Sequence, residues 1–287
     1  MQTETDTEWF VPDTSVEVRQ GDLLVARSLQ TGKVEEICLV ITADCDISKG
    51  KFGRQLACLR VLPIDRYVRT NWATKKLDKL KLSERIKLRG QVAKWHTQFL
   101  GSESSITADA ATDWVMREEP EAICEALQVP EKERKKFNAA LSAFRGAIDA
   151  LDANASRDKL AQFVAYRAAV LRRDIEQSRQ EVLADAQKES EALPEDAFLL
   201  TSLPQVSEDG AVVLLREIVG IPYEAVCYRV TDAEAETSLL RVGRLHPTFK
   251  YAVSQAFGAL YSKIGLPPTY EKRCKDVTMS LTSITLE

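Results

Sequence analysis

The sequence has few of the residues that build a metal centre or a disulfide framework. Among 287 residues it holds only two histidines, His96 and His246, and its six cysteines form no C-x-x-C pair. A histidine-rich metal site is therefore not expected, and the cysteine spacing predicts free thiols in a reducing compartment. We expect neither a metal nor another cofactor.

Long apolar runs and a leader segment are also lacking. No stretch of about 18 apolar residues occurs, so no membrane-spanning helix is predicted. The first ten residues, MQTETDTEWF, are acidic and polar, unlike a secretory signal. With 45% hydrophobic and 29% charged residues, the composition is that of a globular protein, which we expect in the cytoplasm.

The net charge of -4 conceals two segments of opposite sign. Arg66 to Lys94 contains ten basic residues and two acids, whereas Glu103 to Glu133 contains nine acids and two basic residues. The basic excess favours contact with a polyanion or an acidic protein surface. The alternative is a solvated face that pairs with the acidic segment. The contact residues predicted here are Arg66, Arg69, Trp72, Lys75, Lys76 and Lys79.

Local patterns divide the chain into three parts. Residues 16 to 65 and 196 to 245 carry short β-rich runs separated by polar turns. Residues 75 to 193 are dominated by good helix formers. The final run, VTMSLTSITLE, is again β-rich and is expected to add an edge strand.

Neither β-rich part has enough strands to close a barrel alone, since small barrels need about five. We therefore expect an α+β protein with one small barrel made from residues 1–74 and 196–287. Residues 75–195 would form a helical domain inserted into that barrel.

Several motifs, in order along the chain, resemble the MazF/PemK toxin family. The first part carries QGDLLVARSL, ICLVITADCDI and LACLRVLPID, and the last carries GAVVLLREIVGIPYEAV and LLRVGRLHPTFKYAVSQAFGALYSKIGL. The resemblance covers roughly residues 16 to 65 and 196 to 266. It implies an SH3-like barrel, split by the helical segment, that can form a homodimer.

The chain departs from this family at the positions that carry its chemistry. MazF-like toxins cut single-stranded RNA without a metal, using a basic residue before the buried strand and a Ser or Thr after the P-[LI] motif. Here Glu35 and Glu36 precede the strand, and Asp65 follows LPI. Carboxylates would repel the scissile phosphate, so we expect the nuclease chemistry to be lost. Cations that lie nearby and could compensate are Arg27, Lys33, Arg60 and Arg66.

Asp44, Cys45 and Asp46 follow the buried strand. Our main interpretation is a turn held by the aspartates, with Cys45 as a small apolar plug. A metal site would lack a nearby histidine, and flanking carboxylates would raise the pKa of a nucleophilic thiol. A loop that contacts a partner or nucleic acid is the remaining alternative.

Two functions stay open. The first is a non-catalytic binding or regulatory protein of a bacterial toxin-antitoxin or antiviral defence system. Its helical insertion would hold a protein partner, such as an antitoxin, a protease or a sigma-factor-like neighbour. The second is a metal-independent endoribonuclease with rearranged residues, whose ligand is RNA. No catalytic residue is assigned, and the predicted contact residues outside the basic segment are Arg27, Lys33, Asp44, Cys45 and Asp46.

Overall fold

A computed structural model describes residues 7–101, 106–155, 157–190, 193–233, 235, 237–262, 269–270 and 272–274. The run VTMSLTSITLE, expected to add an edge strand, lies outside these residues. The described part of the chain contains eight β-strands and nine α-helices. The predicted α+β class is therefore confirmed.

The strands form one curled sheet with the shape of a half-barrel. Their bounds are β1 (Trp9–Phe10), β2 (Asp22–Arg27), β3 (Val34–Val40), β4 (Gln55–Pro63), β5 (Ala197–Leu200), β6 (Ala211–Pro222), β7 (Val226–Cys227) and β8 (Leu239–Leu245). The strand order is β1-β8-β2-β3-β4-β6-β5, with antiparallel pairing throughout. The short β7 pairs with β8 in parallel.

Strands from before and after the helical part pair directly with each other in this sheet. β2 lies between β3 and β8, and β4 lies between β3 and β6. Most of the intervening residues form helices. The segment that separates the β-rich parts in sequence therefore does not separate them in the sheet.

An irregularity between β4 and β6 shapes the centre of the sheet. Leu59 pairs with Ile218, but the next residue, Arg60, pairs with Leu214, so residues 215–217 of β6 have no partners in β4. Extra residues of this kind bend a strand and increase its twist. The bend lets the two halves of β6 follow different parts of the curled surface.

Both faces of the sheet are covered. On one face, the α9 helix (Pro247–Tyr261) packs Val253 and Leu260 against Leu23, Leu39 and their neighbours. The other face is covered by the α1 helix (Asp44–Ser48) and by the segment around β7. Near the β4 end, Leu62, Val212 and Leu214 pack against the helical part.

The helical part begins where β4 ends. The α2 helix (Ile64–Tyr67) continues through five residues of π-helix, Val68–Trp72, into α3 (Ala73–Leu100) without an interruption. The remaining helices are α4 (Ala108–Arg117), α5 (Pro120–Ala126), α6 (Glu131–Ala153), α7 (Lys159–Leu171) and α8 (Ile175–Ser190). Helix thus begins eleven residues before residue 75, where helix-forming residues become dominant in the sequence.

Local capping explains several helix boundaries. Thr107 accepts a hydrogen bond from the Ala110 N–H at 3.1 Å and so caps α4. Asp158 accepts one from the Ala161 N–H at 2.7 Å and caps α7. Arg172 has a left-handed backbone, with φ of 52°, which ends α7 and lets α8 turn back. Side-chain oxygens at helix starts satisfy N–H groups that have no partner within the helix.

Asp22, at the start of β2, carries a fully buried carboxylate. Gly21, with φ of 88°, makes the turn that brings this residue into the sheet. Arg244 Nη2 donates to Asp22 Oδ2 at 2.9 Å, and the Arg19 N–H donates to the same oxygen at 2.8 Å. Burial raises the pKa of Asp22, and the Arg244 guanidinium opposes that rise.

A second arginine, Arg241, lies near the same carboxylate. Arg241 Nη1 lies 3.8 Å from Asp22 Oδ2, and its side chain is almost fully buried. It donates to the carbonyl oxygens of Val16 at 2.6 Å and Asp13 at 2.7 Å, and it lies over the ring of Tyr228. A buried charge is tolerated only where partners satisfy it. The network therefore holds the residues before β2 against β8.

Replacement of Asp22 by Asn should lower the free energy of unfolding by about 3 to 5 kcal/mol, because the amide group would place a buried N–H donor against Arg244 and the Arg19 N–H, which would then lack an acceptor. Urea denaturation of the purified variant measures this loss. The control is Asp65→Asn, which removes the exposed ion pair with Arg69 and should cost under about 1 kcal/mol. Equal losses in the two variants would contradict the assigned role of Asp22.

Candidate functional site

A groove of about 870 Å³ lies beside β3, β4 and the segment that follows β6. Its lining includes the apolar residues Ala26, Ile37, Val61, Ile221 and Leu239. Its charged lining residues are Glu35, Glu36, Arg60, Arg66 and Glu224. The groove therefore combines an apolar surface with charges of both signs.

Arg60, which lines this groove, lies between two carboxylates. Its Nη2 is 3.5 Å from Glu36 Oε1, and its Nε is 3.6 Å from Glu217 Oε2. Arg60 pairs across the strands with Cys38, which places Glu36 on the same face of β3. Glu217 reaches Arg60 because it is one of the extra residues of β6. The charge of Arg60 is thus balanced within the protein.

Arg66, on α2, is the second cation of the groove. It is exposed, and its Nη1 donates to the carbonyl oxygen of Glu35 at 3.4 Å. Among the residues that the structure describes, the three carboxylates that line the groove exceed its two arginines by one charge. This balance disfavours a phosphate at the groove and favours a cationic group.

Two buried thiols lie on the same sheet face as Arg60. Burial raises the pKa of Cys38, and the carboxylate of Glu36 raises it further. Burial likewise raises the pKa of Cys58 to about 12. A nucleophilic cysteine must be ionised, so neither thiol has the properties of a nucleophile.

The side chain of Asp65 is 75% exposed and does not line the groove. It forms an ion pair with Arg69, one helical turn later, at 2.9 Å. The structure therefore brings Glu35 and Glu36 together with Arg60 and Arg66, and it leaves Asp65 outside.

Arg27 and Lys33 lie on the hairpin that joins β2 to β3, away from the groove. Arg27 Nη2 donates to the carbonyl oxygen of Gln205 at 2.7 Å and ties the hairpin to a neighbouring loop. Lys33 is exposed, and its N–H donates to Thr31 Oγ1 at 3.3 Å. Neither residue adds positive charge to the lining of the groove.

The expected turn at Asp44, Cys45 and Asp46 is wrong, because these residues begin the short α1 helix. Asp44 Oδ2 accepts from Lys250 Nζ at 2.9 Å, and its Oδ1 accepts from the Gln20 N–H at 2.8 Å. Cys45 is exposed and is not an apolar plug. Asp44 therefore joins α1 to α9 and to the turn before β2.

The basic segment pairs with acids from several helices. Arg69 contacts Asp158 at 2.6 Å, and Lys75 contacts Asp196 at 3.8 Å. Lys76 pairs with Glu189 of α8. Between the described parts of the two segments, Arg85 with Asp109 is the ion pair found within 4.0 Å. The acidic segment is thus a minor source of counter-charge.

Trp72 is not available to stack on a base, contrary to one of its predicted roles. It is buried, and its ring meets Phe163 edge-on with centroids 5.8 Å apart. Its Nε1 donates to Glu189 Oε2 at 3.0 Å. Glu189 therefore holds both Trp72 and Lys76, which joins the start of the helical part to α8.

Glu217, which pairs with Arg60, and Glu224, which lines the groove, were missed by the sequence analysis. Both belong to the second β-rich part, far along the chain from Glu36 and Arg60. Glu217 reaches Arg60 only through the irregular pairing of β6, which leaves no local sequence pattern.

Comparisons with family models, with curated proteins and with solved structures found no match to the chain. Among the described residues, no group of three His, Cys, Asp or Glu is arranged to hold a metal ion. No helix within the same ranges has the length and apolar character needed to cross a membrane.

Asp44→Asn should destabilise the protein more at pH 7 than at pH 3. Partial burial opposes the charge of Asp44, but Lys250 and the Gln20 N–H hold its pKa below the ordinary value. Its ionised form therefore stabilises the fold above about pH 3.9, and that contribution is lost as the pH falls through the folded-state pKa. Urea denaturation at several pH values tests this, with Asp46→Asn as control. A difference independent of pH would contradict it.

Lys76→Glu should lower the melting temperature, because it replaces the cation that pairs with Glu189 by a second carboxylate group. The expected cost is about 1 kcal/mol, as for a partly exposed ion pair. Lys79→Glu, one turn later on α3, is the matched control and should change stability by under about 0.5 kcal/mol. Thermal unfolding followed by circular dichroism compares them. Equal melting temperatures would show that the Glu189 contact contributes nothing.

Proposed function

We propose that the chain is a non-catalytic binding protein of a bacterial toxin-antitoxin or antiviral defence system. In this proposal it has a MazF/PemK-like, SH3-like barrel that has lost its nuclease site. The observation that carries the proposal is the contact of Arg60 with both Glu36 and Glu217. A cation that is already paired with two carboxylates of the same chain is poorly suited to bind a scissile phosphate.

The electrostatics of the groove support this proposal. Metal-independent cleavage of RNA needs positive groups that stabilise charge developing on the phosphate, and groups that transfer protons. Two unit charges 4 Å apart interact by about 1 kcal/mol in water and about 4 kcal/mol near a protein surface. Glu35 and Glu36 would repel the phosphate with interaction energies of this order. Among the described residues of the groove lining, none is a histidine, lysine or tyrosine that could donate a proton.

The arrangement of the sheet supports the split barrel. Four strands precede the helical part: β1 and β2 pair directly with β8 from after it, and β4 pairs directly with β6. The proposed units are the barrel, from residues 1–74 and 196–287, and the helical insertion, residues 75–195. The proposal places the protein in the cytoplasm, with the insertion holding an antitoxin, a protease or a sigma-factor-like protein. A homodimer through the barrel is part of the same proposal.

The second candidate is a metal-independent endoribonuclease with rearranged residues. The observation that favours it is that Arg60 and Arg66 line one groove, with Arg66 making no ion pair to a described residue within 4.0 Å. Here Arg66 would replace the basic residue of the toxins.

Incubation of the purified protein with mixed-sequence single-stranded RNA in the presence of EDTA separates the two candidates. We expect the RNA to stay intact. Specific cuts that disappear in Arg60→Ala and in Arg66→Ala would overturn the proposed function and establish the nuclease. Arg216→Ala is the matched control, because Arg216 lies beside the same irregularity of β6 but outside the groove.

A further inference from the structure

The α3 helix carries apolar residues on two opposite sides. Leu77, Leu88, Val92 and Trp95 are buried against the other helices. On the opposite side, Leu82 is 60% exposed and Ile86 is 57% exposed. Residues four positions apart lie next to each other on a helix surface, so these two aliphatic side chains form one patch in solvent.

Positive charges lie at both ends of this patch. Lys79 precedes Leu82 by three residues, and Arg89 follows Ile86 by three, which places both on the same face. Neither forms an ion pair within 4.0 Å with a residue that the structure describes, although Arg89 Nε donates to the Ile106 carbonyl oxygen at 3.1 Å. The basic residues beside the patch, Arg85 and Lys87, are paired with acids.

We propose that this docking face, formed by Lys79, Leu82, Ile86 and Arg89, binds an acidic amphipathic helix of a protein partner. The inference rests on the proposed function as a binding protein and assigns the partner its chemistry. Apolar residues of the partner, spaced at i, i+3, i+4 and i+7, cover Leu82 and Ile86. Carboxylates flanking that stripe pair with Lys79 and Arg89.

Other occupants fit this face less well. The phosphates of RNA could pair with the two cations. Its bases, however, stack on exposed aromatic side chains, and the nearby Trp72 and Trp95 are buried. Phe99 and Leu100 are also exposed but lie about 20 Å further along α3, so the apolar area is too interrupted for a lipid surface.

A second copy of the chain is also disfavoured. If two α3 helices packed antiparallel about the midpoint of Leu82 and Ile86, Lys79 of each copy would meet Arg89 of the other. Like charges opposed in this way weaken association. Asp78, at the edge of the face, does not reverse this balance, because the two cations outnumber it.

Selection from a displayed library of helical peptides tests the proposal. The library fixes leucine at i, i+3, i+4 and i+7 and randomises the flanking positions, and the full chain is the bait. We expect enrichment of Asp and Glu at the flanking positions. Synthetic copies of the enriched peptides should bind at least about tenfold more weakly to Leu82→Ser/Ile86→Ser, and more weakly as ionic strength rises.

The matched control is Ile175→Ser/Leu183→Ser, which replaces two similarly exposed aliphatic residues on α8. It should bind the peptides like the unmodified chain, and circular dichroism should show all three proteins folded. Absence of acidic enrichment, or equal binding by both double variants, would overturn the docking face. So would Leu82- and Ile86-dependent binding of a single-stranded RNA, of phosphatidylserine vesicles, or of a second copy in sedimentation.

The two proposals fail in different ways. Cleavage of RNA that depends on Arg60 and Arg66 would overturn the non-catalytic function and would leave the peptide result unchanged. Loss of the acidic preference would overturn the docking face while the RNA stays intact.

Discussion

The buried carboxylate of Asp22 is the constraint on which the fold depends. It lies at the start of β2, and the two arginines that satisfy it belong to β8, more than 200 residues away. The sheet can form only when these distant parts of the chain meet, because each charge is costly to bury without the other. The helical part consequently begins and ends at strands of the same sheet, β4 and β5.

The irregular pairing of β6 relates this architecture to the groove. The extra residues that bend β6 also bring Glu217 to Arg60, so one local feature sets both the curvature and the charge of the site. Arg60 of the groove is thereby placed between a carboxylate of β3 and a carboxylate of β6.

Local patterns predicted much of the fold and less of the site. Runs of apolar and β-branched residues located β2, β3 and β4, and helix-forming residues located most of the helical part. The conformation of Asp44 was missed because it depends on Lys250 of a distant helix, and the burial of Trp72 depends on Phe163 and Glu189. Such contacts follow from tertiary packing, which periodicity within one segment does not encode.

The unbroken run of helix from Ile64 to Leu100 has a mechanical consequence. Its 37 residues make one stiff rod roughly 50 Å long, anchored at the end of β4. Arg66, at the edge of the groove, and Ile86, on the docking face, are fixed to that rod about 30 Å apart. Because one run of helix carries both residues, its length sets the distance between the groove and the docking face.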